Sequence, residues 1–182
     1  DFLGDMYMQL NLGNHWKGQF FTPYCVCKMM SEITCKDIDS HIEKQGYLSI
    51  CDPACGAGAT LIAAANTMKK CKHNFQNHVV FVAQDIDRIT GMMCYIQLSL
   101  LGCPGYVAVA NTLSNPVTGN VLIPDQKKGQ EFWFTPFYFR NEWEIRRQRL
   151  FIRRILSLTE PVEREMVFYF DFEKGEYKCQ NR

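Results

Sequence analysis

The sequence predicts an α/β domain built on a parallel sheet. Three observations carry this: short apolar runs alternate with helical segments, a glycine-rich turn joins the first such run to its helix, and one run is apolar throughout. Residues 47–51 (YLSIC) read as the first strand. Residues 52–58 (DPACGAG) form the turn, and the alanine-rich stretch 59–70 is a helix closed by Lys69 and Lys70, where cations suit the carboxyl end of the helix dipole. Residues 78–83 (HVVFVA) have the unbroken apolar character of a strand buried on both faces. A second helix over 88–101 stops at Gly102, and residues 106–110 make the third strand. Parallel strands with helical crossovers follow, since consecutive strands in one direction need long right-handed connections.

Ahead of this core, residues 1–46 read as a helical segment around one loop. Residues 3–10 have helical spacing, and residues 13–15 break it. A helix over 24–35 places Val26, Met29, Met30 and Ile33 on its inner face, with Pro23 at the first helical position and Thr22 as the cap. Downstream, residues 114–130 carry two Pro and two Gly and read as a long loop with an edge strand at 121–123. The aromatic stretch 131–139 reads as a fourth strand, 141–158 as a helix with a basic face and 167–172 as a last strand. The expected organisation is a single domain, with 1–46 as an N-terminal helical segment and 47–182 as the α/β core.

Composition narrows the function classes. The 182 residues leave room for one full core and hardly for two. Lys and Arg number 20 against 19 Asp and Glu, a net charge of +1, which excludes holding nucleic acid by bulk charge alone. No stretch approaches the roughly 18 apolar residues that span a bilayer. Nine cysteines, an odd number scattered singly or within apolar runs, read as reduced thiols of a cytoplasmic protein rather than a disulfide framework. Cys25 and Cys27 lack the spacing of a zinc ribbon, and no metal site is expected. The chain begins at Asp1 in mid-pattern without a secretory signal, so a longer polypeptide is expected upstream.

The turn at 52–58 carries the chemistry. Glycines there let backbone approach a ligand, and the following helix offers unpaired N–H groups at the carboxyl ends of the strands, where nucleotide-like ligands bind. A dinucleotide loop would have glycine at 61, where Leu61 stands, and no Lys-Ser/Thr follows the glycines as a P-loop requires.

The string Asp52-Pro53-Ala54-Cys55-Gly56-Ala57-Gly58 resembles the cofactor loop of S-adenosylmethionine-dependent N6-adenine DNA methyltransferases, most nearly the modification subunits of type I restriction systems. Three further segments match in order. Gly18-Gln19-Phe20-Phe21-Thr22-Pro23 resembles the upstream motif that closes over the methionine end of the cofactor. Asp85 resembles the acidic residue on the ribose hydroxyls, and Asn111-Thr112-Leu113 the segment beside the adenine ring, with Asn in place of Asp. The resemblance implies a three-layer, Rossmann-like α/β sandwich that binds S-adenosyl-L-methionine. It assigns Phe21, Thr22, Pro23, Asp52, Pro53, Ala54, Cys55, Gly56, Gly58, Asp85, Ile86, Asn111, Thr112 and Leu113 to the cofactor. A carboxylate at Asp85 can accept from two vicinal hydroxyls, while Asp87 is the better cap for the helix that follows. Asp52 would face the cofactor's ammonium. Ile86 either packs on the adenine or lies in the core.

The family's catalytic tetrapeptide, (D/N/S)-P-P-(Y/F/W), has no intact copy in this chain. Thr135-Pro136-Phe137-Tyr138 is the expected positional equivalent, with Thr135, Pro136 and Tyr138 as degenerate catalytic residues; Ser114-Asn115-Pro116-Val117 is the alternative. Two functions follow from the resemblance: methyl transfer to adenine amino groups, or a lapsed methyltransferase that binds cofactor or docks on another subunit. DNA would be reached through a partner subunit or a recognition domain outside the chain. The Arg-rich segment 140–154 either touches phosphates or an acidic partner or is a solvated helix face, and the aromatic residues at 132–139 either stack on bases or build a buried strand.

Overall fold

The computed structural model describes residues 1–10, 21–35, 38–159, 166–171 and 176–181. They form a mixed α/β arrangement in two compact units, Asp1–Arg147 and Gln148–Arg182. Among them no helix is long and apolar enough to cross a membrane. Residues 13–15 and 18–20, which carry the expected first break and half of the upstream motif, lie outside the described residues.

Helix α1 (Phe2–Gln9) is capped by Asp1, whose carboxylate accepts from the Gly4 amide at 3.1 Å. Helix α2 (Tyr24–Thr34) begins at the expected residue, but Pro23 holds the cap position in an extended conformation rather than the first helical position, with no side-chain capping bond. The expected inner face of α2 is also reversed. Val26, Met29, Met30 and Ile33 are exposed, whereas Cys27 and Ser31 are buried. The cause is the partner helix, α4 (Ala59–Lys70), whose alanines admit only small side chains: Cys27 packs on Ala59 and Ala63, and Ser31 Oγ lies 2.5 Å from Thr67 Oγ1. A short helix α3 (Ile38–Gln45) follows α2; its apolar signal is confined to Ile38 and Ile42, too little to mark it in the sequence.

Strand β1 (Leu48–Asp52) pairs in parallel with β2 (Val79–Asp85), Leu48 opposite Val79 and Asp52 opposite Ala83. Between them run α4 and a single turn, α5 (Phe75–His78). Helix α6 (Arg88–Leu101) then leads to β3 (Gly105–Val109), parallel to β2 with Asp85 opposite Val109. Asp87 caps α6, accepting from Ile89 and Thr90 N–H at 2.8 and 3.1 Å, as expected. Residues 118–125 form a small hairpin, β4 (Thr118–Asn120) and β5 (Ile123–Asp125), so Val121 and Leu122 lie in its turn rather than in an edge strand.

The aromatic stretch is a strand for only part of its length. β6 (Glu131–Phe134) pairs antiparallel with β3, Tyr106 opposite Phe134. At Thr135-Pro136 the chain leaves the sheet, because Pro lacks the N–H a ladder needs, and Pro136–Phe139 coil into a 3-10 turn before α7 (Asn141–Thr159). The sheet order is therefore β1-β2-β3-β6, with β1 on one margin.

One face of the sheet presents Phe81, Ala83 and Val107 to Leu61, Ala65 and Met68 of α4 and to Cys94 and Leu98 of α6. The opposite face carries Val82 and an aromatic cluster of Tyr106, Phe132, Phe134 and Tyr138. Burial raises the Tyr106 phenol far above its ordinary range. The second unit contains the end of α7 and a hairpin of β7 (Met166–Asp171) and β8 (Glu176–Asn181), Met166 opposite Asn181.

Candidate functional site

A pocket of about 560 Å³ opens where β1 and β2 end, within the range of small-molecule sites. Its wall is built by the chain's own turn chemistry. The loop after β1 folds back onto β2: Cys55 N–H donates to the Gln84 carbonyl at 3.0 Å, and Gly56 N–H to Asp85 Oδ2 at 2.7 Å. Asp85 Oδ1 accepts from Asp87 N–H at 2.9 Å, so both carboxylate oxygens are oriented by backbone and each keeps a lone pair. Asp52 is held the same way, accepting from Ala54 N–H at 3.0 Å and from the Thr60 hydroxyl.

Two glycines make the loop possible. Gly56 (φ +51°) and Gly58 (φ +95°) adopt left-handed conformations that favour glycine. A Cβ on Gly58 would also lie 2.8 Å from Cys94 Sγ. Cys55 is buried beside Cys94 in the core, and that thiol contact and burial push its own thiol far above the ordinary range. Cys55 is thus a buried packing residue of the loop.

The residues assigned by resemblance are partly brought together. Phe21, Thr22, Asp52, Ala54, Cys55, Gly56, Asp85 and Ile86 line the pocket, joined by Asp1, Cys27, Thr60 and Asp87. Ile86 is 67% exposed, so the core alternative for it is set aside. Pro53, Gly58 and Pro23 are not among the lining residues. Thr112 Oγ1 donates to the Pro53 carbonyl at 2.5 Å and ties the segment after β3 to the loop. Asn111 Oδ1 accepts from Leu113 and Ser114 N–H at 2.9 and 3.2 Å, a turn that leaves Leu113 94% exposed at the same end of the sheet.

Thr135, Pro136 and Tyr138 are elsewhere. β6 runs antiparallel to β3, so its carboxyl end returns to the start of β3, about 13 Å of strand away from the pocket end. There Thr135 is fully buried. Its hydroxyl donates to the Cys103 carbonyl at 2.7 Å and accepts from Gly105 N–H at 3.1 Å. The Tyr138 hydroxyl donates to the Leu122 carbonyl at 2.5 Å, and the Arg147 guanidinium lies 4.2 Å over its ring. These groups are engaged by the fold and are not among the residues that line the pocket. Asn115 and Pro116, the alternative, follow β3 at the pocket end, but Asn115 Nδ2 donates to the Lys128 carbonyl at 3.2 Å. Of the Arg-rich segment, Arg140 pairs with Glu142 and lies over the Phe137 ring. Arg146 donates to the Asn77 and Gly46 carbonyls, and Arg147 to the Tyr138 carbonyl and Glu144.

Two buried glutamines support the site and carry no sequence motif. Gln84 Nε2 donates to the Ala110 and Asn115 carbonyls while its Oε1 accepts from Val117 N–H, fastening the segment after β3. Gln97 Nε2 donates to the Ala57 carbonyl and to Asp1 Oδ1, each at 2.8 Å, and its Oε1 accepts from Leu3 N–H, fastening α1 beside the loop. Their signal is only a polar residue in an apolar strand and on the inner face of a helix. Among the described residues, no cluster of His, Cys, Asp and Glu is arranged to hold a metal ion.

A family model described as N-6 DNA Methylase matches residues 1–151. No curated protein and no solved structure matches the chain.

Proposed function

Since the chain belongs to the N-6 DNA methylase family, we propose that its pocket binds S-adenosyl-L-methionine as the cofactor site of an N6-adenine DNA methyltransferase-like protein. The observation that carries this reading is the convergence of Asp52, Gly56 and Asp85 on one pocket at the carboxyl ends of β1 and β2. The residues fit the group. Asp85 keeps lone pairs for the ribose hydroxyls, Asp52 supplies an anion for the ammonium, and exposed Ile86 offers an apolar surface for the adenine. The cofactor supplies an electrophilic methyl on its sulfonium. The chain's own contribution is to orient it: backbone donors fix both carboxylates, and Phe21 and Thr22 cover the pocket from the N-terminal side. In this reading residues 1–46 act as a lid segment on a Rossmann-like, three-layer core, and the free thiols suit a cytoplasmic protein.

A second reading is favoured by the position of Thr135 and Tyr138. With those groups buried at the other end of β3, the chain holds cofactor without an acceptor group for the adenine amine, as a lapsed methyltransferase or one completed by a partner subunit that also brings DNA. Titration calorimetry with S-adenosylmethionine tests the cofactor site. Asp85→Ala is expected to weaken binding at least tenfold, since charged hydrogen bonds contribute about 1.5–3 kcal/mol each; no measurable binding by the native chain would refute both readings. Transfer of labelled methyl to unmethylated DNA separates them.

A further inference from the structure

We propose that the groove between α2 and α4, separate from the cofactor pocket, is a phosphate-binding groove that holds the sugar-phosphate backbone of DNA. The groove encloses about 510 Å³ and is walled by Tyr24 and Ala63, with Asn66 on its rim. Three ammonium groups border it from two different helices: Lys28 from α2, and Lys69 and Lys70 from α4. Only Lys70 meets a carboxylate, Glu32 at 3.1 Å; among the described residues Lys28 and Lys69 have no ion-pair partner. The helix dipole accounts for cations in the last turn of α4, but not for Lys28, which sits on the neighbouring helix. Positive charges gathered along a concave surface with apolar walls focus their field outward and attract a polyanion.

The groove is also stiff. Ser31 and Thr67 hydroxyls, 2.5 Å apart in the buried seam, lock α2 to α4, and Asn66 Nδ2 donates to Tyr24 Oη at 2.7 Å. That bond uses an acceptor site of Tyr24 and leaves its O–H free to donate to a phosphate oxygen. In the Arg-rich segment, Arg140, Arg146 and Arg147, half of its six arginines, are committed to carboxylates, rings and backbone carbonyls. The chain's net charge of +1 leaves no diffuse basic surface to do this work, so a local patch must carry it. DNA is chosen among polyanions on the family reading; the groove itself rests on the lysines.

The test is fluorescence anisotropy of a labelled duplex across 50–200 mM salt, comparing the native chain with Lys28→Gln/Lys69→Gln/Lys70→Gln. Losing two or three phosphate contacts is expected to flatten the log–log salt slope by about 2–3 and to weaken binding more than tenfold at 100 mM salt. Lys44→Gln/Lys127→Gln/Lys128→Gln, which also removes three charges, serves as the charge-matched control and is expected to leave both unchanged. Circular dichroism checks that the triple variant is folded. An unchanged slope in the folded triple variant overturns the proposal, as does lysine-dependent binding of polyglutamate without binding of the duplex. S-adenosylmethionine binding is measured in parallel, so loss of the cofactor reading alone leaves the groove result standing.

Discussion

Thr135 is a small residue with an outsized structural share. Its hydroxyl joins Cys103 and Gly105 at the start of β3 from a fully buried position, so one side chain closes the turn that brings α6 into the sheet. Replacing it by the near-isosteric valine leaves the Gly105 amide and the Cys103 carbonyl without that partner. Thr135→Val is therefore expected to cost about 1–3 kcal/mol in urea unfolding while leaving S-adenosylmethionine affinity unchanged. A variant of native stability with lost affinity would return Thr135 to the cofactor site. Local chemistry could not reveal this in the sequence: Thr-Pro-Phe-Tyr has nearly the right residues, and only the antiparallel direction of β6 carries it to the wrong end of the sheet.

At the scale of elements, α2 shows how a partner can override a helix's own pattern. Its larger apolar residues point outward because α4 offers a flat alanine surface that Cys27 and Ser31 match better than methionine would. Met29→Glu and Ile33→Glu, 57% exposed in each case, are expected to shift the urea midpoint by no more than about 0.5 kcal/mol equivalent. Cys27→Asp, placing a charge in the seam, is expected to cost several times that. The α/β alternation and the three parallel strands were legible because apolar runs and a glycine turn are local signals. The break at Pro136 was legible in principle too, had proline been weighed against the aromatic run. The face of α2 was not, since it depends on the shape of a helix 25 residues downstream.

For the whole molecule, the loop at 52–58 and Asp85 were readable because short-range turn chemistry and strand ends coincide there. The supporting amides of Gln84 and Gln97 were not, because their partners lie up to 96 residues away in sequence. The near balance of charge also takes a local form: lysines line one groove, while several arginines serve the fold's interior seams.

The marginal place of β1 has a consequence for how the molecule breathes. Among the described residues this strand has a neighbour on one side only, and its Ser49 and Cys51 are exposed. Alternate amides of a strand point to opposite sides, so half of those in β1 donate to β2 and half point away from the sheet. Hydrogen–deuterium exchange read by NMR is expected to split β1 into slow and fast amides in strict alternation, while the central strand β2 exchanges slowly throughout. Uniform protection along β1 would contradict this. The strand that delivers Asp52 to the pocket would then move on two clocks, one set by the core and the other by solvent.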